Sequence, residues 1–121
     1  MNIETRNANE VNIAVVSSED ILITDTQSAL DLIMTVKYET GADRIVINKN
    51  ALAEEFFVLS SGLAGEVLQK FINYHVKVAI YGDYSKYTSK PLHDFIYESN
   101  KGKDFFFMNS CEAAVEKLLA I

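Results

Sequence analysis

Two adjacent serines, Ser60 and Ser61, precede a glycine at the start of a strongly amphipathic segment. One apolar run ends at Asn48 upstream of them, and a second apolar run begins at Val76 downstream. The order of strand, small-residue turn, helix and strand is typical of a parallel crossover. Such a turn holds hydroxyl and backbone N–H groups at the positive end of a helix dipole, where an anion, a phosphate group or a partner surface is stabilised. The pattern predicts a contact or modification site rather than a catalytic centre.

Ser60 and Ser61 are candidate phosphoacceptors, and Gly62 and Leu63 continue the same candidate surface into the helix. A phosphate on Ser60 would add about two negative charges beside the helix N-terminus. The simpler interpretation, which we favour for either serine taken alone, is that it is the N-cap of the helix. Serine is common there because its oxygen accepts hydrogen bonds from the free N–H groups of the first turn.

Polar residues also follow the other predicted strands. Asn48 ends one strand, Asp83, Tyr84 and Ser85 follow the next, and Asn109 follows the last. Ligands of open parallel sheets bind beyond the carboxyl ends of the strands, so these residues are a candidate ligand or partner surface. Each of them is also an ordinary turn residue, because Asn, Asp and Ser are favoured in such loops.

The sequence offers no metal-binding or catalytic constellation. His75 and His93 have no cysteine, histidine or carboxylate at metal-ligand spacing, and no paired acid and base can be assigned. Cys111 is the single cysteine, and we expect a buried, inert thiol. We therefore predict a non-enzymatic protein with no metal and no other cofactor.

Composition narrows the class of protein further. The 121 residues are enough for one domain, and 49% of them are apolar. The formal charge of −6 argues against nucleic acid as a partner, because phosphate neutralisation needs clustered lysine and arginine. No apolar run approaches the ~18 residues of a membrane span, and no signal-like leader opens the sequence. We expect a cytoplasmic protein that does not contact membranes.

The N-terminal region predicts a hairpin at one edge of a sheet. Residues 1–10 are polar and are predicted to be a tail or a loose first strand, with the domain itself spanning residues 11–121. Residues 11–16 and 21–24 are predicted to be two antiparallel strands joined by the turn at residues 17–20.

Helices and further strands then alternate. Apolar residues at helical spacing predict a helix over residues 26–40, with Thr24 or Asp25 as its N-cap and Gly41 following it. The conformation of residues 50–60 is hard to predict, and we expect a helical turn there. The remaining predicted elements are strands at 44–48, 76–81 and 104–108, and helices starting near residues 61, 91 and 110. The resulting order, β-β-α-β-α-β-α-β-α, indicates an α/β domain with a mainly parallel sheet and covering helices.

This order, with Ser60-Ser61-Gly62-Leu63 opening the helix after the third strand, resembles the STAS domain of anti-sigma factor antagonists and sulfate transporters. The resemblance covers residues ~11–120 and implies a single STAS-like domain. In the antagonists the first serine of an Asp-Ser-Ser-Gly-Leu turn is phosphorylated by a partner kinase. The resemblance gives Ser60 that role, although Leu59 stands where the antagonists have the aspartate.

A second resemblance rests on residues 63–70, on Gly82-Asp83 and on residues 94–100. These segments are similar to a group of small stand-alone bacterial proteins defined as a domain of unknown function. That resemblance implies a family but no activity.

Two functions remain open from the sequence. The first is a regulatory or protein-interaction domain of STAS type, with phosphorylation of Ser60 as one means of control. The alternative is a small-molecule-binding domain whose ligand lies near Asn48, Asp83 and Ser85. The three phenylalanines of residues 105–107 lie in a strand expected at the sheet edge, where it could pair with a second copy. This predicts a homodimer, and a plain buried strand is the alternative.

Overall fold

A single five-stranded sheet organises the chain, for which the computed structural model describes residues 1–121. The strands lie side by side in their sequence order, and β1 pairs antiparallel with β2 while all other pairs are parallel. The strands are β1 Asn2–Ala8, β2 Val11–Ser17, β3 Arg44–Asn48, β4 Lys77–Tyr81 and β5 Phe105–Met108. The predicted α/β class and element order are confirmed.

Four helices cover the sheet unequally. They are α1 Thr26–Thr40, α2 Leu63–Asn73, α3 Lys90–Asn100 and α4 Cys111–Leu119. Each of the first three connects neighbouring strands, and every crossover moves one strand in the same direction. Crossovers of one hand must then place all three helices on the same face. None of the helices combines the length and the apolar character needed to cross a bilayer.

Two hydrophobic cores result from this arrangement. The larger core lies under α1, α2 and α3 and contains the alternate strand residues Val16, Ile45 and Ile47. The smaller core lies under α4 alone, where Phe106 and Leu118 are fully buried. β3 and β4 are apolar throughout their centres because both of their faces are covered.

Arg44 fastens α4 to the sheet. Its guanidinium group donates hydrogen bonds to the carbonyl oxygens of Leu118 and, at 2.6 Å, of Ile121. These carbonyls lie at the carboxyl end of α4, where the helix dipole favours a positive charge. α4, the only helix on this face, is therefore held both by the Arg44 hydrogen bonds at its carboxyl end and by the packing of its apolar side.

The N-terminal hairpin differs from the predicted one. β2 pairs with residues 2–8 and not with residues 21–24, so the predicted tail or loose strand is the edge strand β1. Asn9 and Glu10 form the connecting turn with φ of 52° and 67°, the left-handed geometry that matches strand twist in two-residue hairpins. Residues 21–24 instead make one bridge, from Ile23 to Leu52, on their way to the start of α1.

The predicted helix boundaries are close to the observed ones. Asp25 is the N-cap of α1, and its side chain and that of Ser28 form a reciprocal capping box. Gly41 ends the same helix at φ 71°, the left-handed conformation that glycine adopts without strain. Ser89 and Ser110 cap α3 and α4, as the sequence indicated for the final helix.

Residues 49–61 contain three short 3₁₀ turns, at Lys49–Ala51, Glu54–Phe57 and Leu59–Ser61. The segment carries Phe56 and Phe57, both buried in the larger core. The expected helical turn is therefore present, but in the tighter 3₁₀ form. Because its aromatic residues point inward, the segment is fixed against the sheet and positions the serines that follow it.

Candidate functional site

Ser61 organises the turn before α2. Its hydroxyl donates a hydrogen bond to the carbonyl oxygen of Glu55 at 2.8 Å and accepts one from the N–H of Leu63 at 3.2 Å. The N-cap position itself is Gly62, at φ 79°, so neither serine occupies it as the sequence predicted. The 3₁₀ turn runs directly into the helix. The chain enters α2 through Gly62 in the left-handed conformation, which only glycine adopts easily.

Ser60 takes no part in these bonds, and its side chain is exposed. Val58 beside it is 51% exposed. An open groove of ≈ 460 Å³ runs past both residues and is also lined by Tyr87 and Pro91. We call this feature the Ser60 groove. Of the predicted site residues, only Ser60 lines it, while Leu63 packs against the larger core.

The side chain of Asn48 forms a hydrogen bond with the backbone at each of its two ends. Its side-chain oxygen accepts a hydrogen bond from the N–H of Ser18 at 3.0 Å, and its amide nitrogen donates one to the carbonyl oxygen of Ser18 at 2.8 Å. The amide therefore extends the pairing of β2 with β3 by one step. Each end of the side chain thus has one backbone partner, while one donor and one acceptor position of the amide remain unused.

In the loop after β4, Tyr84 has a structural role and Asp83 is exposed. The Tyr84 hydroxyl donates to the carbonyl oxygen of Ile80 at 2.8 Å, and burial raises the pKa of this tyrosine. Asp83 is exposed, and its carboxylate accepts a hydrogen bond from the N–H of Ser85 at 2.9 Å. Hydrogen bonds from Ser85 are the main cause that holds the pKa of Asp83 below its usual value.

A second depression, of ≈ 300 Å³, lies at the carboxyl ends of β3 and β4. It brings together Asn48 and Asp83 as the sequence predicted, but Asn109 does not line it. We call this feature the Lys49 depression, after the lysine described next. Lys86 lines both this depression and the Ser60 groove, so the two features are neighbours.

Sequence reasoning missed a cluster of charged and aromatic side chains behind the depression. Lys49 is only 9% exposed, and its ammonium donates to the Tyr87 hydroxyl at 3.1 Å. The ammonium also lies 5.1 Å from the centre of the Tyr87 ring and 5.4 Å from that of Phe57. Tyr87 in turn donates to Glu54 at 2.9 Å, and Lys86 lies 3.1 Å from the same carboxylate.

The cluster shifts two of its titrating groups. Burial, together with the Glu54 carboxylate, raises the pKa of Tyr87. Burial alone would raise the pKa of Glu54, but hydrogen bonds from Tyr87 and Lys86 outweigh it and lower that pKa. The cluster therefore keeps a neutral tyrosine between a carboxylate and an ammonium group.

The family model described as Domain of unknown function (DUF4180) matches residues 8–118, nearly the whole chain. The chain belongs to the DUF4180 family. The match confirms the resemblance to a family of unknown function, which the second set of sequence segments implied. Neither the curated proteins nor the solved structures include a match to the chain.

The edge of the sheet in this DUF4180 domain is partly closed at β5. The side chain of Asn100 accepts a hydrogen bond from the N–H of Phe107 at 2.7 Å and donates one to its carbonyl oxygen at 3.1 Å. β5 pairs with β4 on one side only, and Asn100 occupies its other side at this residue. A second copy could pair here only by displacing Asn100.

No three histidine, cysteine or acidic side chains are grouped so that they could hold a metal ion. The Nε2 of His93 in α3 lies 2.6 Å from the carbonyl oxygen of Tyr87, which belongs to the loop before this helix. Cys111 is half-buried at the start of α4, and burial raises the pKa of its thiol, which disfavours the nucleophilic thiolate.

Proposed function

We propose that the protein is a non-enzymatic, regulatory protein-interaction domain of the STAS type, acting in the cytoplasm. In this proposal a protein partner binds the Ser60 groove, and phosphorylation of Ser60 weakens or reshapes that contact. The observation that carries the proposal is an exposed serine beside an exposed valine in an open groove, immediately before the N-terminus of α2.

The shape and chemistry of the groove support a protein partner. Val58 and Pro91 offer exposed apolar surface, and Tyr87 lines the same groove. Tyrosine is enriched at the centres of protein interfaces. Glu54 and Lys86 add one charge of each sign at the same groove, which would give the contact orientation as well as area.

The environment of Ser60 supports control by a charge. Replacing it costs no internal hydrogen bond, because Ser61 makes the bonds that hold the turn. A phosphate at Ser60 would add about two negative charges next to the positive end of α2, in a groove that Lys86 also lines. The surface presented to a partner would change while the fold stayed intact. The order of strands and the Ser-Ser-Gly-Leu turn after β3 support the STAS assignment.

The test is an affinity pull-down from the lysate of the native host, quantified by mass spectrometry. The baits are the wild type, Ser60→Ala, Ser60→Asp and Val58→Asp. Tyr38→Asp is the matched control, because Tyr38 is 92% exposed in the last turns of α1 and does not line the groove. We expect one partner to be retained by the wild type, Ser60→Ala and Tyr38→Asp baits.

The same partner should be depleted about tenfold with Val58→Asp and Ser60→Asp, since removing a central interface contact costs about 1–2 kcal/mol. Loss with Tyr38→Asp as well would contradict a role for the groove. Equal binding by all five baits, or no partner with any, would contradict the proposal. Equal binding by Ser60→Asp and Ser60→Ala, with loss only in Val58→Asp, would remove the phosphorylation switch and leave a plain interaction domain.

A further inference from the structure

Lys49 is a buried cation that makes no direct ion pair. Its side chain is nine-tenths buried, yet it takes part in none of the ion pairs of the protein. The only acceptor of its ammonium is the neutral hydroxyl of Tyr87. An ammonium group has three donors, and buried lysines are nearly always paired with an anion because desolvation of the charge is costly. Glu54 and Asp83 act on this charge only at longer range, so the ammonium keeps donors that no acceptor of the protein takes up.

The burial of Lys49 is built into the fold. A Cβ atom added at Gly82 would lie 2.7 Å from the Cβ of Lys49, so the lysine stem lies flat against the glycine backbone. Gly82 follows β4 and Lys49 follows β3, and the two strands are neighbours. Phe57 and Tyr87 hold the other end of the side chain through their ring faces. The side chain is consequently held in place where it lines the depression.

The Lys49 depression lies where ligands of parallel sheets bind, at the carboxyl ends of adjacent strands. Lys49 and Lys86 contribute two positive charges to its lining, and Asp83 contributes one negative charge. The Asp83 carboxylate already accepts a hydrogen bond from Ser85. The lining itself thus has a net charge of +1, while Glu54, which lies outside the lining, pairs with Lys86. An anion is favoured at this point of the surface once Lys86 turns from Glu54 toward it.

Lys86 is available to a ligand at little cost. Its ion pair with Glu54 joins side chains that are 60% and 61% exposed. Exposed pairs of this kind contribute little to stability, because water screens them and both side chains lose freedom. An incoming anion could thus recruit Lys86 without unfolding any element.

We propose that the Lys49 depression binds a small oxyanion, a phosphate or carboxylate group that pairs with Lys49 and Lys86. Asn50 and Asp83 line the same depression and bind hydroxyl or amino groups carried by the ligand. The ligand class is therefore a small hydroxylated phosphate ester or carboxylic acid. The site is separate from the Ser60 groove, which neither Lys49, Asn50 nor Asp83 lines.

The experiment is a titration of the ¹⁵N-labelled full chain at low salt, followed through backbone amide shifts. The probes are inorganic phosphate, glycerol 3-phosphate, lactate and uncharged glycerol. We expect saturable shifts of the amides of residues 49–50 and 82–86 with at least one anionic probe and none with glycerol. The difference between glycerol 3-phosphate and lactate then identifies the preferred oxyanion.

Lys49→Met is the decisive variant, because methionine fills the same apolar channel without the charge. We expect it to fold, since removing an unpaired buried charge relieves desolvation, and to bind the anion about tenfold more weakly or worse. Lys86→Met should weaken binding severalfold and serves if Lys49→Met does not fold. Lys90→Met is the matched control, because Lys90 is an exposed lysine on α3 that lines neither feature.

The proposal is overturned if no anionic probe gives saturable shifts at millimolar concentration. Equal shifts with glycerol, or equal affinity in Lys49→Met and the wild type, would overturn it as well. The outcomes with the wild type and Lys49→Met are independent of the pull-down, because Lys49→Met leaves every residue that lines the Ser60 groove unchanged. A protein partner without an anion site, or an anion site without a protein partner, would therefore be told apart.

Discussion

Asn48→Ala should destabilise the protein by about 2 kcal/mol. The substitution removes both hydrogen bonds that the side chain makes with the backbone of Ser18, at 3.0 and 2.8 Å. Ser18 is only 9% exposed, so water replaces these bonds incompletely. A hydrogen bond in such a setting contributes about 1 kcal/mol net. The entropy of unfolding is about 2.1 cal/mol/K per residue, so for this chain the melting temperature should fall by about 8 °C.

The assay is urea unfolding followed by far-UV circular dichroism, with thermal melts in parallel. Asn50→Ala is the matched control, because Asn50 is exposed two residues further along, and it should stay within about 0.5 kcal/mol of the wild type. A loss below about 0.5 kcal/mol for Asn48→Ala would refute the reasoning. It would mean that the amide is not a structural element and is free to bind a ligand.

The stability of an Asn48→Asp variant, measured over a range of pH, tests the same pair of hydrogen bonds. At neutral pH the introduced carboxylate can accept from the Ser18 N–H but faces the Ser18 carbonyl oxygen without a donor. Folding should therefore raise the pKa of the introduced carboxyl, and its stabilising protonated form is lost as pH rises through that value. The deficit relative to the wild type should shrink on acidification, whereas a deficit that is constant with pH would contradict this geometry.

Three further substitutions have defined outcomes. Gly82→Ala places a methyl group 2.7 Å from the Cβ of Lys49 and should cost about 1–3 kcal/mol in a denaturant melt; a neutral result would show that the lysine stem is mobile. Asn100→Ala frees the outer side of β5 at Phe107 and should increase self-association in light scattering, and an unchanged monomer would contradict a blocking role. Hydrogen bonds in the α1 capping box lower the pKa of Asp25, so its contribution to stability disappears as the pH falls below 3.8 and through the lowered value. Asp25→Asn should therefore reduce the loss of stability in this acid range. A loss of stability on acidification identical to that of the wild type would argue against it.

Sequence patterns were sufficient to predict the elements whose apolar residues follow a clear strand or helix pattern. The apolar centres of β3 and β4 and the helical spacing of α1 and α2 each specify one structure. The edge strand β1 was harder to identify because it is largely exposed and its residues are polar. Its turn, Asn9-Glu10, lacks the glycine that normally announces a two-residue hairpin.

The site was less predictable because its main residues meet only in three dimensions. Lys49 directly follows β3, and nothing in the local sequence indicates that its side chain is buried. Its burial depends on Gly82 after the next strand and on the rings of Phe57 and Tyr87. No local period links these positions. Ser60, in contrast, was recognisable from its neighbours, although its exclusion from the helix cap required the 3₁₀ turn to be seen.

The single helix on the second face has a consequence for synthesis. The ribosome makes all five strands before it makes α4, so Ile13, Val46 and Phe106 have no cover on this side while the chain is still growing. An open sheet face of this kind is prone to aggregation. Nascent chains truncated before α4 should therefore engage chaperones or precipitate, whereas addition of the nine residues Cys111–Leu119 should release them.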